Sequence, residues 1–356
     1  MNLGGAETLI MNLYRNIDRS MVQFDFLLHC PEESAYEKEI LALGGRIFRI
    51  PRYLGYNRKV YEKNLTEFLM AHPEFTIVHD HLMDSAAETL KVVKKLGRIA
   101  VAHSHTSSGF SLPDLYRFFF RKDLWKIADY RFACSEAAGK WLYRNKSDFI
   151  VLRNGINTVK FRFSEKNRTS KRQEFGISES TRLFGTVGRL DKGKNQIRLL
   201  GIMNQILALQ PDSKLMIVGN GPLEAKIRDT ARKMDMEDKV ILTGPRTDVN
   251  ELLCTMDSFV FTSINEGLGI VLVEAQASGL PCIFTDTIPT EVDLNPGLIH
   301  RVSLSESDAT WAKIATSCTP SGNRATAYKI VAEKGYDIKT SAEQIQKFYL
   351  RLMEKE

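Results

Sequence analysis

Glu266-Gly267-Leu268-Gly269-Ile270-Val271-Leu272-Val273-Glu274-Ala275 sets a glycine-rich turn between two carboxylates that stand eight positions apart. Beyond the glycines the pattern turns helical, so the second glutamate is expected one or two turns inside a helix. The amides of Leu268, Gly269 and Ile270 then lie at that helix's N-terminus, where free N–H groups and the helix field favour a diphosphate. Carboxylates beside such a cradle accept hydrogen bonds from hydroxyls, and one carboxylate can take both hydroxyls of a vicinal diol. A capping acid followed by an exposed helical charge would explain either glutamate alone. It does not explain the whole string.

Two further turns lie upstream. Val187-Gly188-Arg189-Leu190-Asp191-Lys192-Gly193-Lys194-Asn195 runs from a buried strand through glycine into a loop with cations, and a helix is expected from about Asn195. Gly188 lets backbone N–H groups approach a phosphate, Arg189 offers a planar fork, and Lys194 offers a compact charge. The spacing is not that of a P-loop. Ile217-Val218-Gly219-Asn220-Gly221-Pro222-Leu223 repeats the strand–glycine–helix pattern. On its own it is a packing turn; beside the first it adds a second backbone-exposing strand end at Gly219 and Gly221. Gly244, Pro245 and Arg246 follow a third strand end.

These turns sit in a chain of alternating short apolar runs and amphipathic helices, the pattern of parallel α/β folds. Strands are expected at 24–28, 46–50, 77–78, 99–102 and 130–133 in the first half, with helices between them such as 86–96. In the second half they are expected at 183–187, 214–218, 240–242, 258–262 and 281–284. At 356 residues the chain has the length of two domains. The polar stretch Ser164–Arg172 reads as the linker. The expected architecture is α/β: two Rossmann-like doubly wound domains, residues 1–160 and 161–338, with ligand at the carboxyl ends of the strands. The N-terminus is unusual. Asn2-Leu3-Gly4-Gly5-Ala6-Glu7 reads as a strand-to-helix turn with no strand before it, so the first strand of the first domain is expected to be absent.

Composition narrows the function. Hydrophobic residues make up 43% and charged residues 26%, ordinary values for a globular protein. The five cysteines (30, 134, 254, 282 and 318) are scattered without a C-x-x-C pair, which gives no support to a zinc site or a redox dithiol. Residues 1–160 hold 23 Lys/Arg against 18 Asp/Glu, while the rest is nearly balanced. That mild excess suits an anionic ligand or membrane surface and is too dilute for a nucleic-acid reader. No apolar run is long enough to span a bilayer, and no secretory signal opens the chain, so a cytoplasmic location is expected. Leu115–Lys126 mixes aromatic and basic residues and is compatible with peripheral contact at the inner face of an anionic plasma membrane.

Taken together, Gly188-Arg189-Leu190-x3-Lys194-Asn195, the Gly219–Pro222 turn and Glu266-x7-Glu274 resemble glycosyltransferase family 4, whose members are retaining enzymes of the GT-B fold. Gly4-Gly5, His103-Ser104-His105-Thr106, Ser135-Glu136 and Arg153-Asn154-Gly155-Ile156-Asn157 match further family features in order. The nearest flavour is the bacterial capsule and exopolysaccharide transferases. The resemblance implies a nucleoside-diphosphate sugar as donor, UDP by family frequency, and a saccharide or lipid-linked saccharide as acceptor. By the same token Arg189 and Lys194 would neutralise the leaving diphosphate, where charge develops in the transition state. Glu274 would hold the ribose and Glu266 the donor sugar. Gly188, Gly219, Gly221, Gly267, Leu268, Gly269 and Ile270 would shape or line the donor pocket, and Pro245 and Arg246 would flank the base. His105 would face the donor sugar and steady an oxocarbenium-like centre. Gly4, Gly5 and His103 would serve the acceptor. A final helix, near 341–353 within residues 339–356, would pack back on the first domain. The family often carries Phe where this chain has Leu268.

His79-Asp80-His81 and His103-Ser104-His105 also invite a metal reading. Alternate residues share one strand face, and both pairs fall at strand ends, where catalysis or binding would equally place them. The sequence discloses no acids to order such ligands, and D-x-D occurs nowhere, so neither metal nor cofactor is expected. A nicotinamide oxidoreductase would need a third glycine after Gly219-Asn220-Gly221, where Pro222-Leu223-Glu224 stands instead. The remaining alternative is a non-catalytic partner of a second transferase, against which Arg189, Lys194, Glu266 and Glu274 all speak.

Overall fold

The computed structural model of the chain describes residues 5–82, 84–105, 124–144, 148–320 and 322–354. It divides into two compact units, Met1–Gly155 with Ile338–Glu356, and Ile156–Asp337. The expected boundary at 160/161 therefore lies five residues late. Ser164–Arg172, read as a linker, is not one. Ser164 accepts a hydrogen bond from the Asn167 amide and caps a helix, Glu165–Glu174. Arg172 on that helix is buried, its guanidinium donating to the carbonyls of Thr255 (2.8 Å) and Ser178 (2.6 Å).

The first unit contains β1 (Phe26–Leu28), β2 (Ile47–Arg49), β3 (Ile77–Asp80), β4 (Ile99–Ser104), β5 (Tyr130–Ala133) and β6 (Ile150–Val151). All pair in parallel, but in two sheets: β1 with β2, and β3-β4-β5-β6 in that order. Between the sheets lies a cavity of about 930 Å³, with Phe26 and Leu28 of β1 and Ile77 and His79 of β3 among its lining. Among the described residues β1 pairs only with β2 and β3 only with β4. The helix Gly5–Asn16 buries Leu9, Met11, Leu13 and Tyr14 in a cluster shared with Ile338, Ala342, Ile345 and Tyr349 of the last helix, Ile338–Met353.

The second unit contains β7 (Arg182–Val187), β8 (Ser213–Val218), β9 (Val240–Gly244), β10 (Ser258–Phe261), β11 (Cys282–Thr285) and β12 (Ile299–Val302). They form one parallel sheet in the order β12-β11-β10-β7-β8-β9. Alternate strand residues feed opposite cores: Leu183, Phe259 and Phe261 one, Phe184, Val260 and Ile283 the other. Both faces are covered by helices, as a buried parallel sheet requires. The chain runs β7, β8, β9 to one edge and returns on the other side of β7 with β10. The strand order therefore reverses between β7 and β10, where a doubly wound sheet opens a crevice at its carboxyl end.

Candidate active site

That crevice is where the loops after β7 and β10 meet. The Ile264 amide donates to the Gly193 carbonyl (2.8 Å), and Thr262 Oγ1 donates to the Asn195 carbonyl (3.0 Å). Asn195 adopts a left-handed conformation, φ 57°, immediately before the helix Gln196–Leu209. Lys194, fixed by this stitching, forms an ion pair with Glu266 Oε1. Ser263 Oγ donates to the same carboxylate oxygen at 2.6 Å. Lys194 also lies over the Phe261 ring, 5.5 Å from its centroid. Arg189 differs: its side chain is 72% exposed, 3.8 Å from the Asp191 carboxylate, and it remains available to an anion.

The glycine turns after β7 and β8 are pressed together. The Leu190 amide donates to the Asn220 carbonyl (2.9 Å), and the Gly219 amide to the Gly244 carbonyl (2.9 Å). A Cβ on Gly219, whose φ is 132°, would collide with the Gly188 carbonyl oxygen, and one on Gly221 with that of Leu190. These two glycines are thus demanded by packing, which in turn holds Arg189 at the mouth of the sheet.

After β10 the chain passes Glu266 and Gly267 and enters the helix Ile270–Ala277 through Gly269, φ 83°. Leu268 is buried in the core, so its side chain anchors the turn while its amide stays on the helix N-terminal side. Glu274 lies one turn inside. Burial pushes its carboxyl from 4.5 up to about 8, with Lys160 pulling weakly the other way. Among the described residues no hydrogen bond ends on that carboxylate. Arg246 is otherwise placed. It donates to Asp248 (2.6 and 2.8 Å) and Glu174 (3.1 Å) at the carboxyl end of β9, two strands from β7. Its neighbour Pro245 is exposed.

In the first unit Gly5 opens its helix with nothing within 4 Å of the position a Cβ would take. Gly4 lies outside the described residues, as does most of Leu115–Lys126. His103 is buried on β4, and His105 follows that strand. Their rings stack with centroids 4.2 Å apart, and His79 and His81 of the β3 end complete a quartet. Burial holds all four imidazoles neutral: His79 falls to about 3, His105 to about 4, and His81 and His103 well below the usual value. Burial also lifts Asp80 to about 7, although the Leu82 amide donates to it at 2.7 Å.

The structure therefore gathers Arg189, Lys194, Glu266 and the turn at 267–270 at the switch point, with Glu274 on the same helix, and ties Arg246 elsewhere. Sequence reasoning missed Ser263, whose place directly after a strand was a usable signal. It also missed Lys160, for which no local signal exists.

Two domain families match the chain, Glycosyltransferase Family 4 over residues 3–160 and Glycosyl transferases group 1 over residues 167–296. The Bacillus subtilis (strain 168) protein EpsF, described as a glycosyltransferase, is 35% identical over 349 residues, covering 95% of this chain and 91% of that one. The chain belongs to glycosyltransferase family 4. It is accordingly an enzyme of sugar transfer, and the oxidoreductase alternative falls away. A second family relative is the UDP-Gal:alpha-D-GlcNAc-diphosphoundecaprenol alpha-1,3-galactosyltransferase of Escherichia coli, 27% identical over 74% of this chain and 72% of its own. Among solved structures, Anabaena HepE in complex with UDP superposes with a TM-score of 0.80 at 18% identity, covering 98% of this chain and 96% of that one. The fold is GT-B, with two Rossmann-like domains. No helix among the described residues is long and apolar enough to cross a membrane.

Proposed function

We propose that this glycosyltransferase moves a hexose from a UDP-sugar, with retained anomeric configuration, to a lipid-linked saccharide in cell-surface polysaccharide assembly. The observation that carries the donor half is Glu274, a half-buried, desolvated carboxyl on which no hydrogen bond ends among the described residues, on the helix whose N-terminus follows the Gly267–Gly269 turn. A ribose diol supplies what that carboxyl lacks. The diphosphate then lies across the amides at 268–270, with Arg189 and Lys194 neutralising the charge that grows as the bond to the sugar breaks. Lys194 and Glu266 are already paired. The ammonium has further N–H donors for a phosphate oxygen, and the Glu266 carboxylate accepts from a sugar hydroxyl. Charge compensation by these cations lets the leaving group depart without a metal at the diphosphate.

The E. coli relative named for UDP-Gal and a diphosphoundecaprenol acceptor, and HepE solved with UDP and with UDP-glucose, support UDP and a lipid-linked acceptor. Such an acceptor places the reaction at the cytoplasmic face of a membrane, with peripheral contact to anionic lipid. A thermal-shift panel of UDP-, GDP- and ADP-sugars tests the reading. A UDP-sugar is expected to raise the melting temperature with the logarithm of its concentration. A shift with GDP- or ADP-sugars alone would overturn the choice of UDP, and no shift with any would overturn the donor site.

A further inference from the structure

We propose that His79, His81 and His103 of the N-terminal unit bind one divalent transition-metal ion of the zinc class. Each offers one ring nitrogen, and these nitrogens lie within 4.8 Å of one another. Around an ion with bonds of 2.0–2.1 Å, tetrahedral nitrogens stand about 3.4 Å apart. Small rotations shared among three rings close that difference.

The hydrogen bonds that do exist leave the correct atoms free. His79 Nδ1 meets Tyr349 Oη at 2.5 Å, and His81 Nδ1 meets His105 Nε2 at 2.8 Å. With the proton assigned to Nδ1 in both rings, each Nε2 presents a lone pair. His79 Nε2 is buried without a partner among the described residues, and so are both nitrogens of His103. Unpartnered buried polar atoms each cost about 1–3 kcal/mol, and a metal ion shared with His81 satisfies two of them, His79 Nε2 and one nitrogen of His103. Tyr349 and His105 are then the outer groups that orient metal-binding imidazoles through their second nitrogen. This is the ordering the sequence did not disclose, since Tyr349 lies 270 residues from His79.

Ligand chemistry sets the metal class. Three neutral imidazoles suit zinc, copper or nickel, whereas magnesium and calcium require oxygen ligands. Three protein ligands leave a fourth position for water, as in open zinc sites. The ion would tie the end of β3 to β4, apart from the charge compensation at the diphosphate.

The test uses the full chain, stripped with a chelator and titrated with Co²⁺ and then Zn²⁺. One equivalent of Co²⁺ is expected to give the visible absorption of a four-coordinate site, and one equivalent of Zn²⁺ to abolish it and raise the melting temperature. Tyr349→Phe should weaken affinity about 10–100-fold through loss of the orienting bond. The double variant His81→Ala/His103→Ala should lose the signal, with the calorimetric transition of the N-terminal unit reporting that this unit still folds. His72→Ala should leave the spectrum unaltered. No absorption and no zinc-induced shift in the unmodified chain would overturn the proposal. So would an unchanged signal in the double variant, and neither result bears on donor binding in the second unit.

Discussion

Glu274 and the Lys194–Glu266 pair set the behaviour expected of single residues. Burial raises the Glu274 pKa from 4.5 to about 8. Between those values the folded state holds a proton that the unfolded chain releases, so stability falls as pH rises through this window. Melting curves of the unliganded protein and of Glu274→Gln from pH 4.5 to 8 should differ by that decline, because the buried histidines and Asp80 titrate alike in both proteins. A slope unchanged by the substitution would mean that another group titrates. Lys194→Ala removes the ammonium that pairs with the Glu266 carboxylate in a half-buried site. It should cost about 1–2 kcal/mol in denaturant unfolding and weaken donor affinity as well. The residue types at 189, 194, 266 and 274 were legible because strand, glycine and charge recur at each strand end. That Lys194 would grip Glu266, 72 positions away, was not legible. The contact depends on β10 lying beside β7, and periodicity along the chain does not report which strands are neighbours.

At the scale of elements, the turns after β7 and β8 behave as one object. Gly219→Ala should destabilise the second unit by more than about 2 kcal/mol, because a backbone carbonyl rather than a movable side chain occupies the space. UDP binding should fall with it, and chemical denaturation with a UDP titration checks both. Strand edges make a second prediction. With β1 and β3 each paired on one side only, amides in Phe26–Leu28 should exchange hydrogen faster than those in Ile99–Ser104, which is flanked on both sides. All ten strands read from the sequence exist, within about two residues at each end. The two that were missed are informative. Ile150–Val151 has only two residues, and Ile299–Val302 is an edge strand carrying His300 and Arg301, so neither shows an apolar run. The helix Glu165–Glu174 was misread as a linker for the opposite reason. Its burial is carried by Arg172, a long cation that composition counts as polar.

At the scale of the whole molecule, the chain leaves its first unit at Gly155 and re-enters it at Ile338. The last helix lays Ile338, Ala342, Ile345, Tyr349 and Leu352 into buried positions. Each of the isoleucine and leucine side chains among them is worth about 1.5–3 kcal/mol relative to exposure. A chain ending at Asp337 should therefore lose the cooperative unfolding transition of the N-terminal unit while the second unit keeps its own, as calorimetry can show. That return was anticipated only through the family resemblance; the amphipathic pattern of Ile338–Met353 names a helix but not its docking partner. The account as a whole rests on one placement, a nucleoside diphosphate at the carboxyl ends of β7 and β10 with its ribose on Glu274. Isothermal titration of UDP into the unmodified protein and into Glu274→Ala tests it most directly. The account predicts binding in the first and a loss of about tenfold or more in the second, with the far-ultraviolet spectrum intact. Equal affinities in the two proteins would contradict it.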